Sequence, residues 1–129
     1  MKIMADTNIL FSALLFPESR PAKALIKIVE QHDLVLCDYI ISELRNVVSR
    51  KRPDLLAGID ILFANLPFTL ISTKHESDML ISDPKDHPIL SAAILSNTDI
   101  IISGDKHFLN LKLKRPKTMS AVEFLEKVR

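Results

Sequence analysis

Apolar residues in this chain come in two rhythms, and their alternation predicts the fold. The first rhythm is the short run: Lys2-Ile3-Met4-Ala5, Leu34-Val35-Leu36-Cys37, Phe68-Thr69-Leu70-Ile71 and Ile100-Ile101-Ile102. The last of these does not alternate with polar residues, which suits a parallel strand covered on both faces. The second rhythm is helical. From Ala22 to Gln31, residues Ala24, Leu25, Ile28 and Val29 recur at helix spacing. From Tyr39 to Lys51, the residues Ile40, Ile41, Leu44, Val47 and Val48 form one stripe. Pro53-Asp54 opens a further helix carrying Leu55, Leu56, Ile59, Leu62 and Phe63, and Pro67 ends it. Pro88 stands near the first turn of a short segment, Asp86 to Leu95, that is hydrophobic on nearly every side. Ser120 and Glu123 form a capping box for a last helix, with Val122, Phe124, Leu125 and Val128 on its buried side.

The remaining stretches are less regular. Ile9 to Leu15 reads as helical or irregular, and Phe16 to Pro21 as a Pro-marked loop. Residues 73–85 are polar and acid-rich, a connection or a weak helix around Met79-Leu80-Ile81. Lys106 to Leu111 suggests one helical turn, followed by a basic segment from Lys112 to Lys117. Strands alternating with helices predict a parallel sheet with right-handed crossovers. The expected class is α/β, a three-layer α/β/α sandwich around a parallel sheet of four or five strands. With no repeat and no linker, residues 1–129 are expected to form one domain.

Composition narrows the class without naming a function. A hydrophobic content of 47% and only two Gly argue for a packed core rather than disorder. No apolar run approaches the roughly 18 residues of a membrane span, and the start of the chain leaves no room for a signal-peptide hydrophobic region. Cys37 is alone, so no internal disulfide can form, and its apolar neighbours suggest a buried structural thiol. The expectation is a cytoplasmic protein with no membrane partner. The net charge of +1, from 17 basic and 16 acidic residues, gives no basic excess for nucleic acid. Masking four acids with metal would leave 17 against 12, a balance of +5.

Four carboxylates stand out by position. Asp6 ends the first strand, Glu43 borders the apolar stripe of the helix after the second, Asp86 opens the hydrophobic helix, and Asp105 follows the Ile100–Ile102 strand. Asp is a favoured N-cap, and capping alone accounts for Asp86 or Asp105 taken singly. Glu43 has no such explanation, and pairing with a neighbouring Arg or Lys is its plain reading. In a doubly wound sheet all four can meet at the carboxyl ends of the strands, where ligands bind in open α/β folds. Carboxylates brought together repel unless cations fill the gap. Mg²⁺ or Mn²⁺ prefers such oxygen ligands, with the four groups expected within about 8 Å of one another. His75, His87 and His107 form no zinc-ligand spacing. Arg45, Arg50, Lys51, Arg52, Lys106 and the 112–117 segment are the phosphate-contact candidates. With one Tyr, six Phe and no Trp, nucleic acid would be held mainly by its phosphates.

In these motifs the sequence resembles the PIN-domain nucleases, over essentially its whole length. Asp6-Thr7-Asn8 matches the family's opening strand end, Ser42-Glu43-Leu44 its second acid, and Asp86 with Ala93 its third. Ser103-Gly104-Asp105-Lys106 matches its fourth. The likeness is greatest to the branch described as toxin components of toxin–antitoxin systems. What the resemblance implies is a metal-dependent endoribonuclease acting on single-stranded RNA, with Asp6, Glu43, Asp86 and Asp105 as catalytic metal ligands for Mg²⁺ or Mn²⁺. Asn8 and Ser103 would act behind them or on phosphate, and a cognate antitoxin and a homodimer are the implied protein partners. One departure is His107, where members often carry a further Asp; Asp83 is a weak substitute. The alternative is a catalytically silent PIN-like module that binds RNA or protein. A phosphatase with Asp-x-Asp is disfavoured by Asn8, and a receiver domain by the missing acid pair.

Overall fold

The computed structural model of the chain describes residues 1–72, 87–111 and 113–128. Its elements in order are β1 (Lys2–Ala5), α1 (Thr7–Leu15), α2 (Arg20–Gln31), β2 (Asp33–Cys37) and α3 (Asp38–Lys51). A 3-10 turn (Pro53–Leu55) follows, then α4 (Leu56–Asn65), β3 (Thr69–Ile71), α5 (His87–Leu95), β4 (Ile100–Ile102), α6 (Lys106–Leu109), β5 (Lys117–Met119) and α7 (Ala121–Lys127). The strands form one sheet in the order β3-β2-β1-β4-β5, every pairing parallel. Helices cover both sides, so the α/β/α sandwich is the observed architecture.

The apolar runs occupy the centre of this sheet because only central strands are sealed on both faces. Ile3, Met4, Ala5, Leu34, Val35, Leu36, Cys37, Ile100, Ile101 and Ile102 are all buried. Each such Ile or Leu contributes roughly 1.5–3 kcal/mol of transfer free energy. The helices add Ile28, Ile40, Leu44, Val48, Phe108 and Phe124, all fully buried. In the α3 stripe Ile40, Leu44 and Val48 are sealed, while Ile41 and Val47 sit at its half-buried margin. At the edge, β3 leaves Leu70 56% exposed.

Three local outcomes sharpen the sequence reading. The Ile9–Leu15 stretch is a regular helix, because Asp6 caps it with its side chain on the Ile9 N–H. Lys117–Met119, the end of the basic segment, is a fifth strand, registered on β4 as Ile100 to Lys117 and Ile102 to Met119. The capping box at Ser120 is present, with both reciprocal hydrogen bonds formed.

Register decides what happens at the ends of the strands. Ala5 pairs with Ile102 and Met4 with Val35, so Asp6, Ser103 and the start of α3 leave the sheet at the same, carboxyl edge. From β1 the chain builds outward through β2 to β3, then crosses back to lay β4 and β5 on the other side. The order therefore reverses between β1 and β4, and a crevice at such a switch point is where open α/β sheets bind ligands.

Candidate active site

Asp6 is the first residue beyond β1, and its N–H donates to the Ile102 carbonyl at 3.1 Å, extending the β1–β4 ladder by one rung. That bond seats the side chain inside the crevice, where Asp6 is only 3% exposed. Both carboxylate oxygens have partners. Oδ1 accepts the Ile9 N–H at 3.1 Å and caps α1. Oδ2 accepts the hydroxyl of Ser103, a residue 97 positions away in sequence. The same Ser103 oxygen accepts the Asp105 N–H at 2.9 Å, and the Ser103 N–H donates to the Met119 carbonyl at 3.0 Å. One fully buried hydroxyl thus ties the acid after β1 to the acid after β4. Capping and convergence are not rivals at Asp6, since one oxygen serves each.

Glu43 lies in the second turn of α3, half-buried, and its Oε1 accepts the hydroxyl of buried Thr7. The expected pairing with Arg or Lys is not what holds it: among the described residues, no ion pair involves Glu43. Asp6 has its pKa raised from 3.8 to about 6, chiefly by burial. The Ser103 and Ile9 hydrogen bonds pull it back down in part, and the negative charges of Asp105 and then Glu43 push it up further. Asp105 and Glu43 therefore both lie close enough to Asp6 for their charges to act on it. A buried carboxyl with a perturbed pKa at the switch point of the sheet is a candidate functional site on physical grounds.

The other expected residues divide. Asp86, and with it Asp83 and the 73–85 stretch, lies outside the described residues. Asn8 is exposed beside Thr7, and Lys106 is exposed as the first residue of α6, next to Asp105. Arg45 sits about 200° around α3 from Glu43, where it pairs with Asp60 of α4 at 2.8 Å. Arg50, seven positions on, returns to within about 20° of Glu43's side of the helix and bonds the Asn46 carbonyl at 3.4 Å. Of the basic segment, Arg115 and Lys117 lie away from these acids, and Lys112 is outside the described residues. Arg115 pairs with Asp99 at 2.9 Å and the Lys117 N–H donates to the Asp99 carbonyl at 3.0 Å. Asp99 precedes β4, so Lys114 to Lys117 lie at the amino end of the strands, opposite the acids.

Thr7 is the residue that position along the sequence did not single out. Its signal was its place between Asp6 and Asn8, in a helix that Asp6 already caps. Cys37 is buried as expected, with burial pushing its thiol up to about 11.

The donors offered here are all oxygen: the carboxylates of Asp6, Glu43 and Asp105 and the hydroxyls of Thr7 and Ser103. That set fits a hard divalent cation by chemistry. Among the described residues, no three His, Cys, Asp or Glu side chains group closely enough to hold an ion by themselves. Mg²⁺ nonetheless commonly takes one or two carboxylates and keeps several waters.

A parallel sheet with a buried acid at its switch point, tied by one hydroxyl to the backbone that carries a second acid, defines an α/β protein with a polar candidate site at the carboxyl edge of its strands. Residues 2–107 match the model of the PIN domain, and the chain belongs to the PIN-domain family. PIN domains are in general nucleases that work with divalent metals. Among solved structures, one chain of VapBC2 from Rickettsia felis, crystallised bound to a DNA fragment from its promoter, shares the fold. The TM-score is 0.70 at 18% identity, over 93% of this chain and 98% of that one. No curated protein matches the chain.

Proposed function

We propose that this chain, as a single PIN-like domain over residues 1–129, is a divalent-metal-dependent endoribonuclease that cuts single-stranded RNA. The observation that carries the reading is the buried Asp6 carboxyl, held by hydroxyl and backbone donors and placed under the negative charges of Asp105 and Glu43. Asp6, Glu43, Asp86 and Asp105 would hold Mg²⁺ or Mn²⁺. When bound, the ion supplies the Lewis acidity that phosphodiester hydrolysis requires. The protein's own part is orientation and charge. Ile9 N–H and Ser103 Oγ–H fix the two oxygens of Asp6, and Thr7 fixes one oxygen of Glu43. Lys106 next to Asp105, Asn8 two residues after Asp6, and Arg50 on Glu43's side of α3 are exposed polar groups, and they serve as phosphate contacts. Arg45 is engaged with Asp60 and would have to exchange that partner to take part.

The toxin reading is a second layer of the same proposal. It rests on the motif resemblance to the toxin branch and on the fold shared with VapBC2, and it gives the chain a cognate antitoxin, a homodimeric state and a cytoplasmic setting. Among the described residues no helix is long and apolar enough to cross a membrane.

The rival, a PIN-like module without turnover, draws on the lack of a ready-made three-acid group among the described residues. Cleavage of single-stranded RNA oligonucleotides with Mn²⁺ separates the two. Wild type is expected to cut and Asp6→Asn to lose at least a hundredfold in rate. Equal cleavage by both proteins would reject the site.

A further inference from the structure

We infer that Thr7 is a positioning residue for Glu43, setting the carboxylate that α3 brings to the crevice. The inference rests on the proposal that Glu43 helps to hold the divalent ion. Thr7 is the first residue of α1 and is 4% exposed, yet helix formation does not need its hydroxyl, because Asp6 already caps the helix through the Ile9 N–H. A buried hydroxyl without a partner would destabilise the fold, and an apolar side chain of the same shape would avoid that penalty. The hydroxyl instead donates to Glu43 Oε1, on a different helix 36 residues later.

Glu43 has several rotatable bonds and, among the described residues, no ion pair. Left to itself it would swing away from the negative charge of Asp6. The Thr7 hydrogen bond opposes that and leaves the second oxygen, Oε2, to face a cation. Because Thr7 directly follows Asp6, the backbone that places one acid also places the anchor of another. Ser103 does the equivalent for Asp6 from β4. Asp6 and Glu43 are therefore each oriented by a neutral hydroxyl donor, which supplies no positive charge to compete with a metal. Groups that orient metal ligands in this way typically change affinity or activity by about 10- to 100-fold when removed.

The test compares wild type, Thr7→Val, Thr7→Ser and Glu43→Gln by calorimetric titration with Mn²⁺, alongside cleavage of a single-stranded RNA oligonucleotide. Thr7→Val keeps the shape and deletes the donor, and Thr7→Ser restores the donor. The expected result is Mn²⁺ binding weakened about tenfold or more in Thr7→Val and recovered in Thr7→Ser. The Mn²⁺ concentration for half-maximal cleavage should rise in parallel, with the RNA KM unchanged. Mn²⁺ affinity in Thr7→Val equal to wild type, while Glu43→Gln loses binding, overturns the role of Thr7 and leaves the nuclease reading standing. A lowered metal-free melting temperature with unchanged Mn²⁺ affinity of the folded protein overturns it likewise, since that marks a purely structural hydroxyl. Glu43→Gln binding Mn²⁺ and cutting RNA like wild type overturns both.

Discussion

Asp6 carries a conflict that its neighbours soften and do not remove. Its two hydrogen bonds favour the charged form, while burial and the charges of Asp105 and Glu43 favour the neutral one, and the balance leaves its pKa at about 6 against 3.8. Between roughly pH 4 and 6 the folded state thus binds more protons than the unfolded one. The stability this group contributes is complete below about pH 4 and is lost as pH rises through about 6. The loss is at most on the order of 3 kcal/mol for a shift of this size. In EDTA the melting temperature is therefore expected to fall between pH 5 and pH 7.5 more steeply in wild type than in Asp6→Asn. A parallel pH dependence in the two proteins would show that Asp6 is not the strained group. At pH 7.5 and without metal, Asp6→Asn should melt above wild type even as it loses cleavage. Residue types and order were readable here, because an acid after an apolar run is visible in any sequence. The hydroxyl partners were less so: Ser103 and Thr7 both fell within family motifs, and only Ser103 was given a role. Their hydrogen bonds join residues 97 and 36 positions apart, which no local pattern encodes.

At the scale of elements, α3 and the segment before β5 show how a charge run acquires or loses a role. The stripe Ile40, Leu44, Val48 fixes the rotation of α3, and that rotation sends Glu43 toward Thr7 and Arg45 toward Asp60. The basic segment looked equally suited to RNA in the sequence, yet β5 pairs in parallel with β4 and carries Arg115 to the amino edge beside Asp99. Arg115→Ala is accordingly expected to leave RNA cleavage within about twofold of wild type. Lys106→Ala, beside Asp105, should raise the RNA KM and reduce its salt dependence, each lost phosphate contact lowering the slope by roughly one. Equal effects of the two substitutions would place the RNA elsewhere. The strand β5 escaped sequence reading for a physical reason. Lys117-Thr118-Met119 is short and polar at an edge, and its extended form comes from the hydrogen bonds that Ile100–Ile102 offers rather than from its own preference.

For the whole molecule, the decisive event is the reversal of strand order between β1 and β4. It sets Asp6 against Ser103 and lets α3 deliver Glu43 to the same edge. A cation that binds only this folded arrangement stabilises it, by about 2.7 kcal/mol at a hundred times its Kd. Millimolar Mn²⁺ or Mg²⁺ should therefore raise the wild-type melting temperature by several degrees, as 1 kcal/mol moves a domain of this size by about 2–8 °C. The rise should be absent in Asp6→Asn; an unchanged wild-type melting temperature would count against any cation in the crevice.

Alone, the sequence determined that apolar runs become buried parallel strands, that spaced stripes become covering helices, and which acids end up at element boundaries. Those are local consequences of hydrophobic burial and helix capping, legible one segment at a time. Only the tertiary structure decided which oxygen each acid presents, which hydroxyl holds it and which basic groups share its edge. Those choices depend on strand register and helix rotation, and both are settled by contacts between residues far apart along the chain.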